Sequence, residues 1–159
     1  MGQPLQPGDR LAVEIGPIAH GGHFIAHAAG RTLLVRHAIE GEQALVEVTD
    51  VSAKVVRADA VEILRPSQWR ADPACPAARP AGCGGCDFQH VRLEYQRELK
   101  AQVIADAFRR QAGLADVRVQ VESLGPVQPH GADDGLRWRT RMAWQVDDDG
   151  HPGLHAHRS

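Results

Sequence analysis

The chain is 159 residues long, with a formal net charge of −2 and 43% hydrophobic residues. That length makes one domain of ordinary size or two small ones, and the near-neutral charge excludes a protein that coats nucleic acid by bulk electrostatics. Residues 1–66 carry six Lys/Arg against eight Asp/Glu, and residues 67–159 carry twelve of each, so any polyanion must be met by a local patch. Met1 to Gly8 is polar and rich in Pro and Gly, unlike a secretory leader. No apolar run approaches the roughly 20 residues of a membrane span, and the expectation is a soluble, cytoplasmic chain.

From Asp9 to Leu64, short apolar runs are separated by turn residues. Leu11, Val13 and Ile15 alternate with polar or small neighbours, the pattern of a half-buried strand. Phe24–Ala26 resumes after Gly21-Gly22, Thr32–Val35 follows the turn at Ala29–Arg31, and Ala44–Thr49 follows Glu40-Gly41-Glu42. A last strand is expected between Lys54 and Leu64. Five short strands at this spacing, with no helical period, predict a small closed barrel of the OB type. Gly21-Gly22 reads as a turn, since no strand-to-helix step or P-loop lysine follows it. His20, His23, His27 and His37 sit among ordinary strand and turn residues, and are expected to be solvated or packing side chains. Asp9 to Pro66, through Ala19-His20-Gly21-Gly22 and Ala38-Ile39-Glu40-Gly41-Glu42, resembles a TRAM domain. The resemblance implies an RNA-binding β-barrel.

All three cysteines, Cys75, Cys83 and Cys86, fall within a dozen residues. An odd count, with Cys83 and Cys86 too close to staple anything, argues against a disulfide framework. A cluster broken by Gly84-Gly85 suits a loop wrapped around a metal centre. Structural zinc would be four-coordinate, through cysteine alone or cysteine with histidine; an iron–sulfur cluster usually takes four thiolates. His90 is a possible fourth ligand, or equally a cap or surface residue. Pro66, Pro73, Pro76 and Pro80 disfavour regular structure ahead of the cluster and mark a domain boundary at about residue 66. Beyond it, Leu93, Leu99, Val103, Ile104, Ala107 and Phe108 recur mostly at three- and four-residue steps. They predict an amphipathic helix from Val91 to Ala112, stopped by Gly113, with its apolar face in a core.

Cys75-Pro76, Cys83-Gly84-Gly85-Cys86 and Asp87-Phe88-Gln89-His90, behind a TRAM-like barrel, resemble the iron–sulfur segment of the RNA uracil-C5 methyltransferases. The resemblance implies that Cys75, Cys83 and Cys86 ligate a [4Fe–4S] cluster, although the seven residues between Cys75 and Cys83 exceed the family's usual five. It also implies a fourth cysteine and an S-adenosylmethionine-binding catalytic domain, both expected outside this chain. In the family a catalytic thiolate attacks uracil C6, and neither it nor its base has a counterpart here. The expected architecture is therefore mainly β with α+β: residues 1–66 as a TRAM-like barrel, and residues 67–159 as a small α+β iron–sulfur and RNA-binding domain, incomplete at its C-terminus.

Val117 to Val121 alternates cleanly and predicts a strand. So does Arg137 to Val146, in which Arg137, Arg139 and Arg141 would share one face opposite Trp138, Met142 and Trp144. Three guanidinium groups along about 13 Å of strand suit the phosphates of RNA. A solvated face pairing with Asp133, Asp134 or Asp147 to Asp149 is the alternative reading. The methyltransferase resemblance favours RNA contact, because Trp138-Arg139-Thr140-Arg141 is similar to that family's aromatic-Arg-polar-Arg segment. Asp149-Gly150 predicts a hairpin turn, with the return strand starting near Gly153 and bringing His155 and His157 to one face. The expected function is the RNA-binding and iron–sulfur portion of an S-adenosylmethionine-dependent methyltransferase acting on ribosomal or transfer RNA. The chain would then be a truncated product, a fragment or one half of a split enzyme. The alternative is a non-enzymatic RNA-binding module with a structural zinc site.

Overall fold

A computed structural model describes residues 4–123, 125, 135–136 and 139–155. Five strands form one sheet: β1 (Arg10–Glu14), β2 (Phe24–Ala28), β3 (Arg31–Arg36), β4 (Gln43–Val51) and β5 (Val56–Arg65), in the order β1-β4-β5-β3-β2. All neighbours are antiparallel except β3 and β5. Past the end of β1, Gly16 donates to the Ile25 carbonyl at 2.7 Å, and Ile25 donates back to Pro17 at 2.9 Å. Those bonds join the two outer strands, so the sheet closes into the five-stranded OB-like barrel that the turn spacing predicts.

Period-two alternation builds its interior. Ala44, Val46 and Val48 of β4 are buried, as are Val56, Ala58 and Ala60 of β5, with Val46 opposite Ala60 and Val48 opposite Ala58. Register shifts at Gln43/Ala44, Leu45/Val46 and Val48/Asp50 bend this longest pair; such bulges raise local twist and let a small sheet curl shut. Phe24, Leu33, Val35 and Ile39 are wholly buried at the centre.

After β5 the chain stays on the barrel. Residues 69–71 run antiparallel to residues 90–92, through an Arg70–Val91 bridge and hydrogen bonds from Ala71 to His90 and from Arg92 to Trp69. Helix α1 (Leu93–Ala112) follows, ended by Gly113 in the left-handed conformation with φ 68° and its N–H on the Phe108 carbonyl. Its first turn has no side-chain cap; the Gln96 amide instead donates to the Phe88 and Val91 carbonyls. Leu99 is buried in the same apolar cluster as the barrel interior, and Tyr95 stacks on Trp69 with ring centroids 4.9 Å apart. Ile104 and Phe108, each 42% exposed, face outward, so only the first half of the helix's apolar face is core.

The remaining described strands are β6 (Gln145–Val146) and β7 (Pro152–Gly153), a two-stranded hairpin turning at Asp147–Gly150. The expected hairpin is present, but among the described residues the strand expected at 117–121 is not formed, and of the one expected at 137–146 only Gln145–Val146 pairs, Arg137 and Trp138 lying outside the described residues. Alternation gives a strand two faces, whereas only a ladder partner keeps it extended, and an isolated hairpin is marginal in water. Trp144 and Val146 are correspondingly exposed. No described helix is long and apolar enough to cross a membrane.

Candidate metal centre

The three cysteines lie on the loop from residue 72 to 89, whose two ends meet at the Arg70–Val91 bridge. Both sides of that stem are fastened to the barrel. Arg70 grips the wholly buried Glu42 through two 2.6 Å hydrogen bonds and also donates to the His37 carbonyl at 3.0 Å. Opposite, His90 is buried with its Nε2 3.0 Å from the Ala38 carbonyl. A carbonyl only accepts, so Nε2 carries the proton. Burial pushes the His90 pKa down to about 4, outweighing the opposing effect of that bond. His90 is thus a packing group turned into the barrel, neither a cap nor a surface residue, and its Nε2 is committed.

Further along the loop, the Arg36 guanidinium at the end of β3 pairs with Asp87 at 2.9 Å. Phe88 packs on the turn at Gly22, where an added Cβ would lie 3.4 Å from the Phe88 ring. Asp87 and Phe88 directly follow Cys86, so the barrel sets the position of the last cysteine.

Within the loop, Ala78 donates to the Cys75 carbonyl, Cys83 to Ala77, and Gly82 to Arg79, each at 3.0 Å. A Cβ on Gly82 would collide with the Ala77 backbone carbonyl, so the loop closes there only because that position is bare, while one on Gly85 would meet only the movable end of the Leu154 side chain. The three thiols are free, with Cys75 and Cys86 exposed and Cys83 half-buried. Gly85 N–H donates to Cys83 Sγ at 3.3 Å, and the Gln89 amide donates to Cys86 Sγ at 3.2 Å. N–H groups aimed at sulfur suit thiolate ligands, which is the donor chemistry a metal or cluster requires. A single tetrahedral zinc would draw its sulfurs to about 3.8 Å of one another, given Zn–S bonds near 2.3 Å. Among the described residues the three sulfurs are not gathered within 4.8 Å; the one such group of possible ligands is Asp147, Asp149 and His151. Those side chains organise the hairpin turn, where Asp147 Oδ1 accepts from the N–H groups of Asp149 and His151.

Among the described residues, the expected arginine face is not assembled on a strand. Arg137 lies outside the described residues, while Arg139 and Arg141 lie in irregular chain. Arg139 does come beside Cys86, lining with Arg92, Lys100, Gln89, Asp72 and Asp87 a cleft of about 510 Å³ between the loop and α1. The linear sequence separates Arg92, Lys100 and Arg139, and nothing in their spacing announces a common cleft. The hairpin also reaches the loop: the His155 carbonyl accepts from Gly84 N–H at 3.1 Å.

Residues 4–61 match the TRAM domain family, and the first two thirds of the described chain is that barrel with the cysteine loop docked on it. Over 96% of its length the chain is 46% identical to an uncharacterized RNA methyltransferase of Streptomyces avermitilis, covering 36% of that protein. It is 44% identical to a Streptomyces coelicolor homologue, covering 96% of this chain and 34% of the homologue. Identity is 35% to a 23S rRNA (uracil-C5)-methyltransferase of Alkalilimnicola ehrlichii, over 86% of this chain and 29% of that enzyme. The chain carries a TRAM domain and is similar over nearly its whole length to RNA methyltransferases, and it spans about a third of the length of the curated relatives it matches.

Proposed function

We propose that this chain is the RNA-binding, iron–sulfur-bearing portion of an S-adenosylmethionine-dependent RNA (uracil-C5) methyltransferase, acting on ribosomal or transfer RNA in the cytoplasm. Similarity to RNA methyltransferases across 96% of the chain, cysteine loop included, carries the reading. Residues 1–66 form its RNA-binding barrel. Residues 67–159 hold the cluster through Cys75, Cys83 and Cys86, and meet RNA through Arg137, Arg139 and Arg141. Methyl transfer belongs to the part of the relatives that this chain does not match, supplied in the same chain or by a separate one.

One observation favours the cluster over a single zinc ion, and two more support a thiolate centre of either kind. The thiols are spread more widely than one tetrahedral ion draws them. Two of them accept N–H hydrogen bonds. The contact of Gly84 with His155 brings the segment after the hairpin beside the loop, where a fourth ligand from following chain would enter. When bound, an iron–sulfur cluster would cross-link the loop's thiols into a rigid unit. The cleft beside Cys86, where Arg92, Lys100 and Arg139 outnumber Asp72 and Asp87, supports a phosphate-contacting surface next to that unit.

Anaerobic purification with assays for iron, acid-labile sulfide and zinc tests the reading. Iron and sulfide together with RNA binding would support it; zinc without sulfide would replace the cluster with a structural zinc module.

A further inference from the structure

We propose that Gln89 is the positioning residue of the cysteine loop, one planar amide that sets the distance between Cys75 and Cys86 and holds the Cys86 sulfur as a thiolate ligand. The inference rests on the cluster reading for its chemistry, but its geometry stands independently. Gln89 Oε1 accepts the backbone N–H of Cys75 at 2.9 Å, while its Nε2 donates to Cys86 Sγ at 3.2 Å. The first bond fixes the amide's orientation. A backbone N–H can only donate, so the carbonyl end must face Cys75 and the NH₂ end is left facing sulfur. The side chain therefore spans the first and last cysteines of the loop and links them to the stem.

The next residue, His90, is fixed to the barrel at Ala38. The backbone that carries the amide is thus anchored one residue away, and the loop's span is referred to the barrel. Cys83 receives its donor from within the loop, through Gly85 N–H, so Cys86 is the sulfur whose hydrogen bond depends on a replaceable side chain. A donor to a ligand sulfur stabilises negative charge there and favours the more negative, reduced form of a cluster. Removing the donor should lower the reduction potential; putting a carboxylate in its place should lower it further and loosen the ligand.

The test compares wild type with Gln89→Leu and Gln89→Glu, purified anaerobically. Iron and sulfide content, the dye-mediated reduction potential and the rate of iron release to a chelator are measured. Alongside, hydrogen exchange at the Cys75 amide is followed in metal-free protein. Gln89→Glu keeps the acceptor for Cys75 but faces Cys86 with an oxygen. The expected result is a more negative potential and severalfold faster iron release in both variants, with Cys75 exchange accelerated severalfold only in Gln89→Leu. Unchanged potential, release and exchange in variants that load as wild type does would overturn the positioning role. Wild type lacking iron and sulfide would overturn the cluster reading separately. Cys75 exchange would then decide the geometry alone, with acceleration in Gln89→Leu upholding the span and no change refuting it.

Discussion

Arg70 meets Glu42 edge to edge, Nε on one carboxylate oxygen and Nη2 on the other, both at 2.6 Å, with the glutamate wholly buried. The same carboxylate accepts the N–H groups of Ile39 at 2.9 Å and Ser67 at 3.0 Å. Four donors on one buried anion make it the joint where barrel, post-barrel chain and loop stem converge. A buried ion pair is not worth much against an apolar replacement, but breaking one side strands the other, at about 3–5 kcal/mol.

Glu42→Ala is accordingly expected to lower the melting temperature by more than about 10 °C, and Arg70→Met by a similar amount. Because the two residues share one interaction, the double variant should cost less than the sum of the singles. Thermal denaturation of the four proteins checks this, and additive losses would show that the pair is not coupled.

His90 makes stability depend on pH. Its pKa is depressed in the folded protein to about 4 by burial, with Arg70 and His37 nearby adding to the effect and Glu42 opposing it. Above pH 6.5 the ring is neutral folded or unfolded, and nothing is lost. As pH falls from 6.5 towards 4 the unfolded chain takes the proton first, so stability declines through that window and levels off below it. The depression corresponds to roughly 3 kcal/mol at most. Urea titrations at pH 7, 5.5 and 4 should show the decline in wild type and a flatter profile in His90→Gln, whose amide can still donate to Ala38.

Leu99 is the wholly buried residue of α1. Truncation to alanine should cost about 2–5 kcal/mol, whereas Ile104→Ala and Phe108→Ala, at half-exposed positions, should each cost well under half as much. Chemical denaturation followed by tryptophan fluorescence reads the result directly, since Trp69 stacks on Tyr95 one turn before Leu99.

If the cleft beside Cys86 meets RNA phosphates, Arg92→Ala, Lys100→Ala and Arg139→Ala should each weaken binding of a short RNA without changing sequence preference. Each should also reduce the slope of log K against log salt by about one. Fluorescence anisotropy at several salt concentrations measures both, and unchanged slopes would place RNA elsewhere.

The barrel was legible in the sequence because each strand repeats a short-range rule. Val46 and Val48 point inward for the same reason, and an alternating pattern carries that reason in the open. The helix was legible likewise, since Leu99, Val103 and Ile104 recur at helical steps, though how much of that face becomes core depends on what covers it. Clustering of Cys75, Cys83 and Cys86 marked the loop. Glu42 gave no comparable sign: Glu40-Gly41-Glu42 reads as a polar turn, and its partner Arg70 lies 28 residues on. His90 failed for the same reason, its acceptor Ala38 being 52 residues back. Val117–Val121 has the alternation of a strand but no ladder beside it among the described residues, and a face pattern cannot report whether a neighbour is there.

Val91 and Leu99 share one apolar cluster with Val35, Ala38 and Ile39 of the barrel. A sequence module and an inheritable unit therefore differ in this molecule. The recognisable motif stops with the last strand, yet a graft of residues 4–66 into a foreign chain would arrive with its side wall wet and Glu42 stripped of its arginine. The barrel is portable only as far as the middle of the helix, so any shuffling that spread such barrels among enzymes would have to carry the cysteine loop along or repair the wall it leaves open.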